Sequence, residues 1–106
     1  MAIPLGGSLL DACVLAVVRK GDVYGYRLTQ EVREALEISE STLYPVLRRL
    51  QKEGCLCTYD EPYQGRNRRY YKITELGHAK YDAFLEEWMI YKEKVDSVLM
   101  GGANNE

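Results

Sequence analysis

A mainly α fold with a small β-hairpin, arranged as a winged helix-turn-helix followed by a long C-terminal dimerisation helix, is what this 106-residue sequence predicts. Three observations lead there. Two amphipathic stretches follow one another with only Glu37 and Ile38 between them, and the second carries basic residues on its outer face. The apolar period then shortens to two over a pair of runs rich in aromatic and β-branched residues. From Glu75 onward the helical period returns and holds for about two and a half heptads. The expected divisions are residues 1–74 for the winged helix-turn-helix domain, 75–99 for the dimerisation helix and 100–106 for a disordered tail.

Each element has its own signal. Residues 8 to 20 place Leu9, Leu10, Cys13, Val14, Val17 and Val18 at 3/4 spacing, with Ser8 as an N-terminal cap and Gly21 as a stop. In "YGYRLTQEVREALE", Leu28, Val32, Ala35 and Leu36 fall on one side and Arg27, Gln30, Glu31, Arg33 and Glu34 on the other. The third helix, "SESTLYPVLRRLQKEG", has Ser39 as N-cap, an inward stripe of Leu43, Val46, Leu47 and Leu50, and Gly54 as terminator. Then "CLCTYDEP" and "RRYYKIT" read as strands, joined by "YQGRNR", whose Gly65 and Asn67 tolerate positive φ, so that the hairpin ends in a basic tip. Thr74 caps the last helix, on which Tyr81, Phe84, Trp88, Tyr91, Val95 and Val98 form an a/d stripe that needs a partner. Those six residues are the expected dimer interface.

Pro45 lies inside the third helix. It removes the bond to the Ser41 carbonyl, at a cost of roughly 3 kcal/mol in mid-helix and less near the N-terminus, where N–H groups are unpaired in any case. It either stiffens an exposed, groove-facing turn or is a tolerated kink without a role.

Composition excludes several classes of function. The apolar run near the N-terminus spans about ten residues, too few for a bilayer, and has no basic leader, so a cytoplasmic protein without membrane contact is expected. Cys13, Cys55 and Cys57 form neither a CxxC pair nor, with His78, a metal-ligand spacing. No nucleophile motif, phosphate-cradling loop or paired carboxylates are present, so no catalytic residue, metal or cofactor is expected.

Charge distribution points to double-stranded DNA. The chain carries a net charge of -2, yet residues 41–72 hold seven Lys/Arg against three acids, which makes one basic face on an acidic body. A recognition helix reads DNA with residues near its N-terminal end. Ser41, Thr42, Tyr44, Pro45, Arg48 and Arg49 lie off the core stripe in that position, with Arg48 able to meet guanine through two hydrogen bonds. In the hairpin, Gln64, Arg66, Asn67 and Arg68 can reach phosphates or a minor groove, while Arg69 points the other way. Tyr24 and Tyr26 either hydrogen-bond a phosphate or serve as core or hinge residues, and of Tyr70 and Tyr71 one packs inward and one faces solvent. A solvated helix face for Arg48 and Arg49, and a winged helix used as a protein-interaction module, remain as alternatives.

The segments "STLYPVLRRLQKEG" (Ser41 to Gly54) and "RRYYKIT" (Arg68 to Thr74) leading into "ELGHAKY", with the upstream "YGYRLTQEV", resemble the PadR family of transcriptional regulators. The likeness is to the short branch, with one C-terminal dimerisation helix, and spans residues 8–99. It implies a homodimeric DNA-binding repressor, released by a small effector such as a phenolic acid or a planar aromatic drug. The overall acidic balance is a departure that bears on nonspecific binding, not on docking through the basic face. Trp88 has two readings. It is either plain dimer core or, as the resemblance implies, part of a slot for a planar aromatic molecule, lined by Trp88, Phe84 and first-helix residues Leu9, Asp11 and Cys13.

Overall fold

The computed structural model describes residues 7–101. Helices α1 (Gly7–Arg19), α2 (Gly25–Leu36) and α3 (Glu40–Lys52) enclose the core. Strands β1 (Val23–Tyr24), β2 (Leu56–Tyr63) and β3 (Arg66–Ile73) form an antiparallel sheet of order β1-β3-β2, and α4 (Glu75–Leu99) closes the chain. Ser8, expected as a cap, is the second residue of α1. Residues 102–106 of the expected tail lie outside the described residues.

The core takes the whole expected α3 stripe and part of the others: Ala35 and Leu36 of α2 are exposed, Cys13 and Val17 of α1 are half-buried, and Leu15, outside the expected α1 stripe, is fully buried. Val14, Leu15 and Val18 of α1 meet Leu28 and Val32 of α2, Leu43, Val46, Leu47 and Leu50 of α3, and Leu56 of β2, all buried. Fully burying a side chain of this size contributes about 1.5–3 kcal/mol. The α2–α3 turn bends at Glu37, which sits in the left-handed region at φ 56° and donates its N–H to the Arg33 carbonyl. Arg33 then reaches across the turn to Glu40 at 3.2 Å, next to the positive end of the α3 dipole.

The hairpin is tighter than the sequence suggested. Gln64 and Gly65 alone make the turn, with φ of 51° and 81°, the two positive values that a two-residue turn matched to strand twist requires. Arg66 and Asn67, expected in the loop, and Arg68, expected where loop meets strand, are ladder residues opposite Tyr63, Pro62 and Glu61. Asn67 therefore has no need of positive φ. Alternation could not reveal this end of the ladder, because it extends past the core and both its faces are polar. Pro62 is accommodated on β2, an edge strand, where one row of N–H groups has no ladder partner to lose. Strand β1 was not foreseen: two residues, paired as Val23 with Tyr71 and Tyr24 with Tyr70, are too short to show a period.

Strand register fixes the faces. Leu56 and Ile73 pair on the core side, and so does Tyr71, packed against the core, while Tyr24, Tyr59 and Tyr70 share the opposite face. Tyr59 and Tyr70 stack at 5.5 Å, and the Tyr59 hydroxyl donates to Asp22 at 2.7 Å, which pushes its pKa up to about 12.

The start of α4 is locked to the corner between α3 and β2. Thr74 Oγ1 accepts from the Gly77 N–H at 3.0 Å and donates to the Gly54 carbonyl at 2.6 Å, and its own N–H donates to the Cys55 carbonyl at 3.1 Å. This puts Gly77 so close to the corner that a Cβ there would stand 2.2 Å from the Cys55 carbonyl oxygen and 2.7 Å from an Ile73 side-chain carbon. Helix α4 then passes α1, with Tyr81 on the core and the Arg19 guanidinium 4.7 Å above its ring. Beyond that point Phe84, Trp88, Tyr91 and Val95 are half-buried, and Val98 is 78% exposed.

Replacing Gly77 with Ala must push α4 off the corner. The expected loss is about 1–3 kcal/mol in chemical denaturation, toward the upper end because the clash is with backbone that cannot yield. A change below 0.5 kcal/mol would show that the corner is not packed as described.

Candidate nucleic-acid interface

Helix α3 is built with one side for the core and one for the outside. Its N-cap is formed as expected: Ser39 Oγ accepts from the Thr42 N–H at 3.3 Å. The same oxygen lies 3.0 Å from the Ser41 hydroxyl and 3.1 Å from that of Thr42, so three hydroxyls gather at the positive end of the helix. Ser41, Thr42, Tyr44, Pro45 and Arg48 are all exposed, on the side opposite Leu43, Val46, Leu47 and Leu50. Pro45 is the sixth residue of α3, past the first turn, and the helix continues through it to Lys52.

Arg49 departs from the expected set. Its guanidinium grips Asp11 of α1 with two hydrogen bonds, Nη1 to Oδ2 at 3.0 Å and Nη2 to Oδ1 at 2.5 Å, and so lies against the body of the molecule, not beside Arg48. The Asp11 hydrogen bond, aided by the charges of Asp11 and Glu53, raises the Arg49 pKa despite partial burial. Asp11 in turn is 4% exposed, and Lys80 of α4 adds a second cation at 3.5 Å. The Arg49 side chain, 41% exposed, is thus engaged with Asp11, and the Asp11 carboxylate faces two cations. The signal available in the sequence was an acid interrupting the apolar face "LLDACVLAVV", since a buried carboxylate has to find a cation.

Arg68 is also held. Its guanidinium carbon lies 3.8 Å from the Tyr24 ring centre and 3.7 Å from that of Tyr63, a clamp between two aromatic faces. Tyr24 leans on Tyr70 at 5.9 Å and on Tyr26 at 6.5 Å, which makes it a packing residue joining the sheet to the start of α2. Tyr26 is 62% exposed, its hydroxyl accepting from Gln30 at 2.8 Å. Sequence reasoning missed Tyr63 and Tyr59 as supports of this clamp, because partners across a ladder cannot be paired before its register is known. Gln64, Arg66 and Asn67 are exposed around the turn, and Arg69 points to the other sheet face, 3.5 Å from Asp60.

The exposed side of α3 and the hairpin meet in an open groove of about 360 Å³, bordered by Tyr44, Tyr26, Tyr24, Arg68 and Arg69 and floored by Leu47 and Tyr71. Among the described residues, Arg48, Lys52, Arg66 and Lys72 have no carboxylate partner, so the uncompensated positive charge of residues 41–72 belongs to α3 and the hairpin. Elsewhere, Phe84 and Trp88 stack at 6.4 Å with planes 10° apart on α4, and Leu9 and Cys13 are half-buried on α1, where burial pushes the Cys13 thiol up. No helix among the described residues is long and apolar enough to cross a membrane.

Residues 14–83 match the transcriptional regulator PadR-like family. A transcriptional regulator of Mycobacterium tuberculosis is 38% identical over 81 residues, covering 76% of this chain and 73% of the relative. The negative transcriptional regulator PadR of Bacillus subtilis is 28% identical over 93 residues, covering 82% of this chain and 48% of the relative. Among solved structures, a Streptococcus mutans protein superposes with a TM-score of 0.83 at 40% identity, covering 95% of each chain. A PadR family transcription regulator from Clostridium difficile gives 0.78 at 28%, covering 85% of this chain and 97% of that one. With the capped recognition helix, the basic hairpin and these likenesses together, the chain belongs to the PadR-like family of transcriptional regulators.

Proposed function

We propose that this regulator, which is not an enzyme, is a cytoplasmic repressor that binds a palindromic operator as a homodimer and is released by a small planar aromatic effector. The observation that carries the DNA-binding part is the shared exposure of Ser41, Thr42, Tyr44, Pro45 and Arg48 beside a hairpin whose tip presents Gln64, Arg66 and Asn67. Arg48 is the base-reading candidate, since a guanidinium can take both guanine acceptors in the major groove. The helix N-terminus and Arg66 suit phosphates. Arg68, stacked between tyrosines, holds the wing in shape and offers only its edge to DNA. Repression is supported by the Bacillus subtilis relative, described as a negative regulator.

Dimerisation rests on α4. Tyr81, Phe84, Trp88, Tyr91, Val95 and Val98 repeat at heptad spacing, and past Tyr81 their own chain leaves them half-buried, with Val98 78% exposed. Residues 1–74 and 75–99 are thus a reading unit and a pairing unit. A two-fold axis along α4 would set two recognition helices about 34 Å apart, one duplex turn. The stacked pair Phe84 and Trp88, doubled across that axis, would offer flat faces to an aromatic effector, with Leu9 and Cys13 of α1 as further wall.

Titration of a duplex carrying the chain's own upstream promoter region tests the central reading. The native protein should prefer it to random duplex by a hundredfold or more and lose affinity steeply with salt. Arg48→Ala should cost about 1–3 kcal/mol on that duplex and relax sequence preference, whereas Arg66→Glu should weaken both duplexes and flatten the salt slope. Equal affinity of the native protein for both duplexes would point to a protein-interaction module instead.

Placing a charge in the stripe with Tyr91→Glu should turn a sedimenting dimer into a monomer at micromolar concentration and abolish promoter binding at that concentration. An unchanged dimer would remove α4 from the interface. Acridine, a planar aromatic probe, should quench Trp88 fluorescence and weaken promoter binding over the same concentration range. Quenching without any effect on DNA would dissociate the aromatic stack from regulation.

A further inference from the structure

We infer that Asp11 is a positioning residue for DNA reading: its buried carboxylate fixes the seat of α3 on the body of the molecule and ties it to α4. The inference rests on the DNA-binding role proposed above. Four charged groups from three helices meet at this point. Asp11 of α1 takes both terminal nitrogens of Arg49, at 3.0 and 2.5 Å, and lies 3.5 Å from Lys80 Nζ. Glu53, just past the end of α3, closes the ring at 3.3 Å from Lys80 and 3.6 Å from Arg49. Asp11 is 4% exposed, and the other three side chains are between 38% and 43% exposed, so the carboxylate is the hub and the rest are its rim.

Geometry gives the hub a directional role. A bidentate guanidinium–carboxylate pair is planar and tolerates little rotation, unlike the apolar contacts of Leu43, Val46, Leu47 and Leu50, which allow small slides. Arg49 follows Arg48 in sequence and lies four residues after Pro45, so a rotation of α3 that strained this pair would also move the side chains expected to face the bases. Lys80 immediately precedes Tyr81, the first residue of the apolar stripe on α4. A displacement of α4 is therefore felt at Asp11 and, through Arg49, at α3. Removing one partner would leave buried charge uncompensated, which gives the network a firm single arrangement.

Asp11→Asn keeps the shape and removes the charge. With thermal unfolding measured in parallel, and binding measured well below each variant's midpoint, Asp11→Asn should lose tenfold or more in affinity for the promoter duplex. Its affinity for random duplex and its salt slope should stay native, since no phosphate contact is lost. Arg49→Met should do the same, and the double variant should be no worse than the weaker single, as expected for two residues acting as one unit. Should Asp11→Asn fail to fold, Lys80→Met at the exposed rim carries the same comparison with a smaller, severalfold loss. The inference is overturned if the promoter-to-random ratio of these variants equals the native ratio whatever happens to thermal stability. It is overturned as well if Arg49→Met lowers the salt slope by about one, which would make Arg49 a phosphate ligand. A native protein without promoter preference would sink the DNA-binding reading along with this one; native preference with an unchanged variant ratio would sink this one alone.

Discussion

The structure depends on one helix having two incompatible sides. Leu43, Val46, Leu47 and Leu50 must be buried, and at 3.6 residues per turn their burial leaves Ser41, Thr42, Tyr44, Pro45 and Arg48 nowhere to go but outward. The reading face is thus a by-product of the core. Nothing has to hold Tyr44 or Arg48 in the open, since any inward rotation would carry Leu43 and Leu47 into water at a cost of a few kcal/mol. The Ser39 cap adds to this by fixing where the helix begins, and with it the height of the exposed residues above the core.

Burial alone sets a side, not an angle. The angle comes from polar contacts with directional geometry, and they lie at the opposite end of α3 from the exposed hydroxyls. Arg49 is held by Asp11, Gly54 turns the chain at φ 84°, and the Gly54 carbonyl takes the Thr74 hydroxyl that starts α4. Gly77 belongs to the same corner, since any larger residue would force the two helices apart. Helices α3 and α4 are consequently joined through a few atoms with little slack. On the proposed reading, a pairing helix fixed so firmly to a reading helix suits a dimer whose two copies would present their α3 helices at a set spacing.

The parts legible in the sequence were those governed by period and by local capping. The four helices, the α3 stripe and the Ser39 and Thr74 caps could be read because each involves residues within a turn of one another. Illegible parts were those joining residues far apart in the chain. Arg49 and Asp11 are 38 positions apart, and a basic residue at that site on a helix reads equally as a DNA contact or as a core counter-ion. Arg68 has the same ambiguity, because Tyr24 becomes its stacking partner only once β1 pairs with β3, and β1 is two residues long. Arg66 and Asn67 read as loop in the sequence because that end of the ladder has no apolar face to alternate with.

These reassignments reshape the electrostatics of DNA docking. Seven basic residues in 41–72 point to a densely charged face, yet Arg49 and Arg69 are paired with Asp11 and Asp60, and Arg68, still charged, is stacked between two tyrosines. Arg48, Lys52, Arg66 and Lys72 are left without a carboxylate or aromatic partner among the described residues, on a chain whose net charge is -2. A single copy with so few cations would release few counterions and hold nonspecific duplex weakly. In the proposed dimer, pairing along α4 would double the contacts and make the second reading event intramolecular, so that affinity would rise where two half-sites are correctly spaced and little elsewhere. On the proposed reading, the sparse charge is a source of specificity. An acidic body with a small basic edge discriminates against random DNA by having too little attraction to stay unless both recognition helices find their bases.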